Sequence, residues 1–398
     1  MDLFGGKTLD EPNYSLHAHS VLTVISLSGG LRIEKAAYIK FGKFGNSVSG
    51  CPDYLMGNVM KADKKSAVKK IKEMVYTTKQ EPEEFRTNMD RLFSTVFLPN
   101  NVECNERDYG GIKCDVISPV VYSSKRVIIY IHGGSFVGGS CSAYRNFCAS
   151  FAHASSCRLI VPEFRLPPTY PFPASIDDLV NVFRSVYEEE NVARNLEISA
   201  SGLRPSNSSG HIIIAADGSG ASLAMALIFK INKKYRSNIQ NLVLFSPWLD
   251  MSSDSPLIAG GRKVNDGVIS GEAIHAAVDK YTYAANISNP LVSPLKAPIE
   301  DFEAFPQVYI QMGEKEILLS QAKELKSRLS QVGVDCIMDV WPDMMYMFQM
   351  ADEFLPDSHL AVNRVGEFIS KREGDSEEEI EERRKIIKKN NIWEPQKN

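Results

Sequence analysis

The chain has no long apolar run, no paired cysteine motif and no excess of charge of one sign. Its longest early apolar stretch, Val21 to Leu27, is "VLTVISL", far too short to span a bilayer. No basic segment precedes that stretch and no clear cleavage site follows it, so no secretory signal is expected. The net charge of -4 gives no electrostatic case for nucleic acid. The seven cysteines are Cys51, Cys104, Cys114, Cys141, Cys148, Cys157 and Cys336, never spaced C-x-x-C. Scattered and odd in number, they argue against a zinc site and against a disulfide scaffold. Free thiols in a reducing cytosol are the expectation, and with them a cytoplasmic location. Cys141 and Cys148 can share one helix face, as buried residues. The aspartates Asp177, Asp178 and Asp217 have no histidine or cysteine at ligand spacing, so they read as helix-start and turn residues and no metal or cofactor is expected.

What is present is the composition of a soluble globular protein, 43% apolar and 24% charged over 398 residues. No internal repeat is visible. Residues 1 to about 100 form an N-terminal cap or extension, 101–370 the main domain and 371–398 a charged tail. In the first region, "KADKKSAVKKIKEMV" places Val68, Ile71 and Val75 at helical spacing among lysines, as in a surface helix packed on a core. A second helix, "EPEEFRTNMDRLFSTVF", has Pro82 near its start and Phe85, Met89, Leu92 and Phe93 as its apolar face.

From about residue 110 short β-rich runs alternate with helical patterns. The strands are "RVIIYI" (126–131), "CRLIVP" (157–162), "HIIIAA" (211–216), "NLVLFS" (241–246), "QVYIQM" (307–312) and "CIMDVW" (336–341). Between them lie helices such as "ASIDDLVNVFRSVYEE" and "SQAKELKSRLSQVG", the second stopped by Gly333. Alternation of this kind predicts an α/β fold, a mainly parallel central sheet flanked by helices. Residues 201–210 read as a loop. The tail runs from an acidic to a basic block and offers a surface for a protein partner.

Chemistry concentrates in a few blocks. A hydrophobic strand runs into His132-Gly133-Gly134-Ser135, where glycines allow close approach of the backbone and N–H groups can stabilise an oxyanion. His132 at that strand end orients the turn rather than serving as a base. Another strand runs into Ala216-Asp217-Gly218-Ser219-Gly220, a small-residue turn before a helix. Further blocks are "EFRLPPTYPFPASIDD", "FSPWLDMSSDS" and "GEKEILL" through "WPDMMYMFQ".

Together and in this order, these blocks resemble the hormone-sensitive-lipase branch of the α/β-hydrolases, over roughly residues 80–370. The resemblance implies an α/β-hydrolase fold with an N-terminal helical cap and an ester-hydrolysing triad of serine, acid and histidine. Carried over residue by residue, Gly133, Gly134 and the N–H of Ser219 form the oxyanion hole and Glu316 is the acid. The nucleophile falls on Gly218 and the histidine on Tyr346, so two triad members are replaced. Glycine has no side chain to activate, and a phenol with a pKa near 10 is a poor base at neutral pH. Glu316 then either bonds the Tyr346 hydroxyl or caps a helix starting at Ile317.

The expected function is a pseudo-hydrolase whose pocket binds a small hydrophobic or carboxylate-bearing ligand. Two alternatives stay open. One is a weak carboxylic ester hydrolase using Ser219, for which His359, in the last helical pattern, is the nearest remaining histidine past Tyr346. The other is a protein-interaction scaffold.

Overall fold

The structure, a computed structural model, describes residues 64–94, 98, 101–122, 126–201, 211–252, 267–351 and 354–370. The Gly-Gly pairs near the N-terminus, the Val21–Leu27 run, Cys51, the 202–210 loop and the charged tail lie outside them.

One eight-stranded sheet carries the fold. In chain order its strands are β1 (Val102–Tyr109), β2 (Ile112–Pro119), β3 (Val127–Ile131), β4 (Arg158–Pro162), β5 (Ile212–Asp217), β6 (Ile239–Phe245), β7 (Gln307–Gly313) and β8 (Cys336–Trp341). They are arranged β1-β2-β4-β3-β5-β6-β7-β8. The β1–β2 and β2–β4 pairs are antiparallel, and every pair from β4 to β8 is parallel. The six strands expected from the apolar runs are all present, within two residues at each end. Every residue of β3 and β5 is buried, which is why both read as unbroken apolar runs rather than alternating ones.

The β1–β2 hairpin is absent from the sequence-based expectation. Its turn is Gly110-Gly111, whose positive φ values of 66° and 84° suit a two-residue hairpin turn between Tyr109 and Ile112. β1 lies at the sheet edge and is mostly exposed and polar, so it carries no apolar pattern.

The helices are α1 (Pro82–Phe93), α2 (Cys141–Ser155), α3 (Ala174–Ser201), α4 (Gly220–Lys230), α5 (Gly271–Tyr281), α6 (Leu319–Gln331) and α7 (Pro356–Ser370). α2 packs on β2, β4 and α7; α4 packs on β5, β3 and α3; α6 packs on β7 and β8. Cys141 and Cys148 are both buried along α2. Residues 64–72 are helical, with Ala67, Ile71, Met74 and Val75 buried, so this basic segment packs on the core. In α1, Phe85, Met89 and Phe93 are buried while Leu92, expected on the inner face, is 37% exposed. Residues 64–94 share one compact unit with the sheet, beginning at Lys61.

The parallel register places Ile131 beside Ala216 and Asp217 beside Phe245. The turns after β3, β5 and β6 therefore open side by side at the carboxyl ends of the strands, where open α/β sheets bind ligands.

Candidate functional site

The turn after β5 is shaped by what its glycines leave out. A Cβ on Gly220 would lie 2.3 Å from the Ile131 carbonyl oxygen and 2.5 Å from that of His132, so only glycine lets α4 start against the end of β3. Gly218 has φ +49°, and its N–H donates to the Phe245 carbonyl at 3.0 Å. Its carbonyl accepts from the Ala221 N–H at 3.2 Å and the Trp248 N–H at 2.9 Å. A Cβ on Gly218 would lie 2.3 Å from the Tyr346 hydroxyl oxygen, with the next atom, Tyr346 Cζ, at 3.5 Å. The space a side chain would occupy at 218 is filled by that one hydroxyl.

Tyr346 is buried in the segment after β8, and its hydroxyl accepts from Trp248 Nε1–H at 3.1 Å. The neighbouring backbone is fixed by Ser246, whose hydroxyl accepts from the Met347 N–H at 3.1 Å and donates to Glu316 Oε1 at 2.8 Å. The same carboxylate oxygen accepts from the Gly313 N–H at 2.5 Å. Glu316 is 2% exposed, so these donors compensate for its burial. Of the two roles left open for Glu316, capping is corrected: α6 begins at Leu319, not Ile317, and has no side-chain cap. Glu316 instead ties the end of β7 to Ser246, and through it to the Tyr346–Met347 turn.

The loop after β3 is held by the residue preceding Gly218. Asp217 Oδ1 accepts from the Tyr130 hydroxyl at 2.8 Å and the Gly133 N–H at 2.9 Å, and Oδ2 accepts from the Tyr144 hydroxyl at 2.9 Å. Burial pushes the Asp217 carboxyl up to about 6 even though these hydrogen bonds pull the other way. Gly133 is needed for the approach, since a Cβ there would lie 2.5 Å from Asp217 Oδ2. Because its N–H is committed to Asp217, Gly133 braces the loop rather than offering a donor to a ligand. No hydrogen bond of the Gly134 or Ser219 N–H is found among the described residues.

His132 also braces the turn. Its Nδ1–H donates to the Gly133 carbonyl at 3.0 Å, and its ring is stacked between Tyr144 and Phe164, with centroids at 5.1 and 4.3 Å. Burial lowers its pKa, which favours a neutral imidazole. His359 is exposed on α7.

Beyond Gly134, Ser135 and Phe136 have φ values of 57° and 61°, two consecutive non-glycine residues in the left-handed region. Each costs on the order of 1–3 kcal/mol and persists only where its surroundings hold it. Here they do. The Ser135 hydroxyl accepts from the Tyr76 N–H at 3.0 Å, and the Phe136 N–H donates to the Ser219 hydroxyl at 2.8 Å. Ser219 sits at the N-cap position of α4 but makes no capping hydrogen bond. Its hydroxyl serves the neighbouring loop instead. From outside, Arg86 Nε donates to the Val137 carbonyl at 2.7 Å, and the Phe85 ring lies within 2.5 Å of where a Cβ on Gly138 would stand.

Sequence reasoning missed the parts played by Asp217, Ser246, Trp248 and Phe136. Asp217 was the most accessible of them, as the one charged residue ending an otherwise apolar strand. Asp177 and Asp178 belong elsewhere: Asp178 fixes Arg165 through its backbone and side chain, and Asp177 pairs with Lys230.

Residues 128–350 match a family profile described as the alpha/beta hydrolase fold. An esterase of Acinetobacter venetianus is 28% identical over 290 residues, covering 73% of this chain and 89% of that protein. An acetyl-hydrolase of Streptomyces hygroscopicus is 25% identical over 250 residues, covering 63% of this chain and 77% of that protein. The crystal structure of an esterase from the bacterial hormone-sensitive lipase family superposes with a TM-score of 0.65 at 26% identity, covering 78% of this chain and 97% of that one. The chain belongs to the α/β-hydrolase fold family and is similar to its hormone-sensitive-lipase-type esterases.

Proposed function

We propose that this protein is a pseudo-hydrolase, a hormone-sensitive-lipase-like chain that binds a small hydrophobic or carboxylate-bearing molecule without hydrolysing an ester. One observation carries the reading: the Tyr346 hydroxyl lies 2.3 Å from the place of a Gly218 Cβ, so the elbow has no nucleophilic side chain and a phenol oxygen stands where one would begin. An acyl-enzyme needs a nucleophile with a base beside it. At this turn Gly218 supplies no hydroxyl, and the group next to it is a phenol rather than an imidazole. The N–H groups of Gly134, in the loop after β3, and of Ser219, at the start of α4, suit a carboxylate. Cytoplasmic residence belongs to the same reading, and the six described cysteines, all free thiols, support it. No helix among the described residues is long and apolar enough to cross a membrane.

The names of the relatives favour a second reading, ester hydrolysis, for which Ser219 is the hydroxyl at this turn. Its hydroxyl is engaged with the Phe136 N–H, which speaks for a brace rather than a nucleophile. Hydrolysis of p-nitrophenyl acetate and butyrate by the purified full chain separates the two. The pseudo-hydrolase reading expects rates at the level of a heat-inactivated control, in the parent and in Ser219→Ala alike. Turnover that Ser219→Ala abolishes establishes the esterase instead.

A further inference from the structure

The helical segment 64–72 has five lysines and no acid, in a chain whose net charge is -4. Contacts at its two ends tie it to the turns around Gly218. At its start, the Lys64 ammonium donates to the Asp343 carbonyl, and Lys315 pairs with the Asp343 carboxylate. Asp343 closely precedes Tyr346 in the segment after β8. Just past its end, the Tyr76 N–H donates to the Ser135 hydroxyl at 3.0 Å. The helix therefore runs between the turn after β8 and the loop after β3, at the carboxyl ends of the strands.

Its two faces differ. Ala67 and Ile71 are fully buried against the core. Lys65, Lys69 and Lys72, spaced four and three apart, share the outer face. All three are exposed, and none has an ion pair or hydrogen bond among the described residues. Lys70 is engaged sideways, its ammonium over the Phe93 and Phe354 rings at 5.2 and 5.8 Å. Like charges at these spacings repel one another and weaken a helix. A row of three without a counter-charge therefore carries a cost that an outside negative surface removes. The row lies on the convex outer side of a helix and extends about 10 Å along it. Lysine is a flexible point charge that needs no fixed partner geometry, which suits mobile headgroups better than the planar, paired carboxylates of a folded partner.

We propose that the outer face of this helix docks the protein on an anionic lipid surface, with Lys65, Lys69 and Lys72 among the headgroups. Basic clusters of this density on an amphipathic helix are drawn to bilayers rich in phosphatidylserine or similar lipids. Docking of this kind is peripheral: the apolar face of the helix stays on the protein core and only the lysines meet the bilayer. It brings the turns around Gly218 close to the lipid. The inference holds whether those turns bind a ligand or hydrolyse one, so it stands apart from the reading given above.

Co-sedimentation of the full chain with vesicles tests it, using phosphatidylcholine alone and phosphatidylcholine with about one-third phosphatidylserine. The parent is expected to sediment with the mixed vesicles at about 0.1 M salt, to be released at about 0.5 M, and to ignore pure phosphatidylcholine. The triple variant Lys65→Glu, Lys69→Glu, Lys72→Glu is expected to lower the partition coefficient about 100-fold or more. A control triple, Lys233→Glu, Lys234→Glu, Lys326→Glu, makes the same change in net charge at exposed lysines of other helices and is expected to stay within about threefold of the parent. Urea midpoints of both triples confirm that they are folded. Equal binding to both kinds of vesicle, a lysine-face variant that binds like the parent, or a control that loses as much as it does overturns the inference. So does failure of the parent to bind the mixed vesicles. If poly-glutamate then binds the parent and not the lysine-face variant, the face belongs to an acidic protein segment instead.

Discussion

Two glycines of one turn, Gly218 and Gly220, are held to glycine by different things. At Gly220 the obstacle to a side chain is backbone, the carbonyl oxygens of Ile131 and His132. At Gly218 the only atom closer than 3.4 Å is the tip of another side chain, the Tyr346 hydroxyl. Gly220 is thus a requirement of close backbone approach, whereas Gly218, beyond the left-handed φ of +49° that favours glycine, is matched to a partner that is itself replaceable. The difference separates what the turn needs in order to exist from what decides its chemistry.

The sharpest way to break this comparison is to add one methyl group at each position. Gly220→Ala drives Cβ into main-chain atoms that cannot move without displacing β3 or α4. It is expected to cost 3 kcal/mol or more, by analogy with the upper range of overpacked cores. Urea denaturation, or failure to recover soluble protein, reads this out.

Asp217 gives the next effect, because it links the two turns through the Gly133 N–H. Its carboxyl is raised to about 6 in the folded chain from a usual value of 3.8. Between those values the folded state holds a proton that the unfolded state has released. The contribution of this group is therefore present in full below about pH 4 and is lost as pH rises through about 6, amounting to up to about 3 kcal/mol. Urea midpoints measured between pH 7 and 4.5 should show about 2 kcal/mol of this gain on acidification relative to Asp217→Asn, which lacks the titration. A difference between the two proteins that stays flat across that range contradicts the assignment.

Gly218→Ala is expected to be milder, and its cost should depend on residue 346. The single substitution meets the Tyr346 hydroxyl, and Tyr346→Phe removes that oxygen, leaving Cζ at 3.5 Å. A double-mutant cycle should return a favourable coupling of about 1–2 kcal/mol. The corresponding cycle between Gly220→Ala and Tyr346→Phe should return none.

The same division marks what was legible in the sequence. The parallel strands announced themselves because they are buried on both faces, as "VIIYI" and "IIIAAD" show. β1 did not, since an exposed edge strand such as "VECNERDY" has no apolar face to display. α3 runs on to Ser201, well past the apolar pattern that revealed its start, and its late residues Val192 and Leu196 are exposed. Leu92 looked inward by spacing, yet it lies at the margin of the buried stripe formed by Phe85, Met89 and Phe93.

At the site, resemblance could nominate Gly218, Tyr346 and Glu316, but the one contact it suggested, between Glu316 and Tyr346, left out the packing of Tyr346 on Gly218. That the Tyr346 hydroxyl fills the space at 218 is a fact of packing between segments remote in sequence. So are the Ser246 link to Glu316 and the use of the Ser219 hydroxyl by Phe136. Each depends on where β5, β6, β7 and β8 come to lie side by side, and no local spacing encodes that.

The central claim is that ester chemistry is absent because a phenol stands where a nucleophile and its base would have to meet. Its most direct test is hydrolysis of p-nitrophenyl butyrate by the parent, Gly218→Ser, Tyr346→His and the double variant carrying both changes. The account predicts background rates for the parent and for either single change, with Gly218→Ser also destabilised by the Tyr346 hydroxyl. Turnover should appear only in the double variant, at least 100-fold above background as an order-of-magnitude expectation for a nucleophile paired with a base. A parent that already hydrolyses the ester as fast as the double variant would contradict the claim.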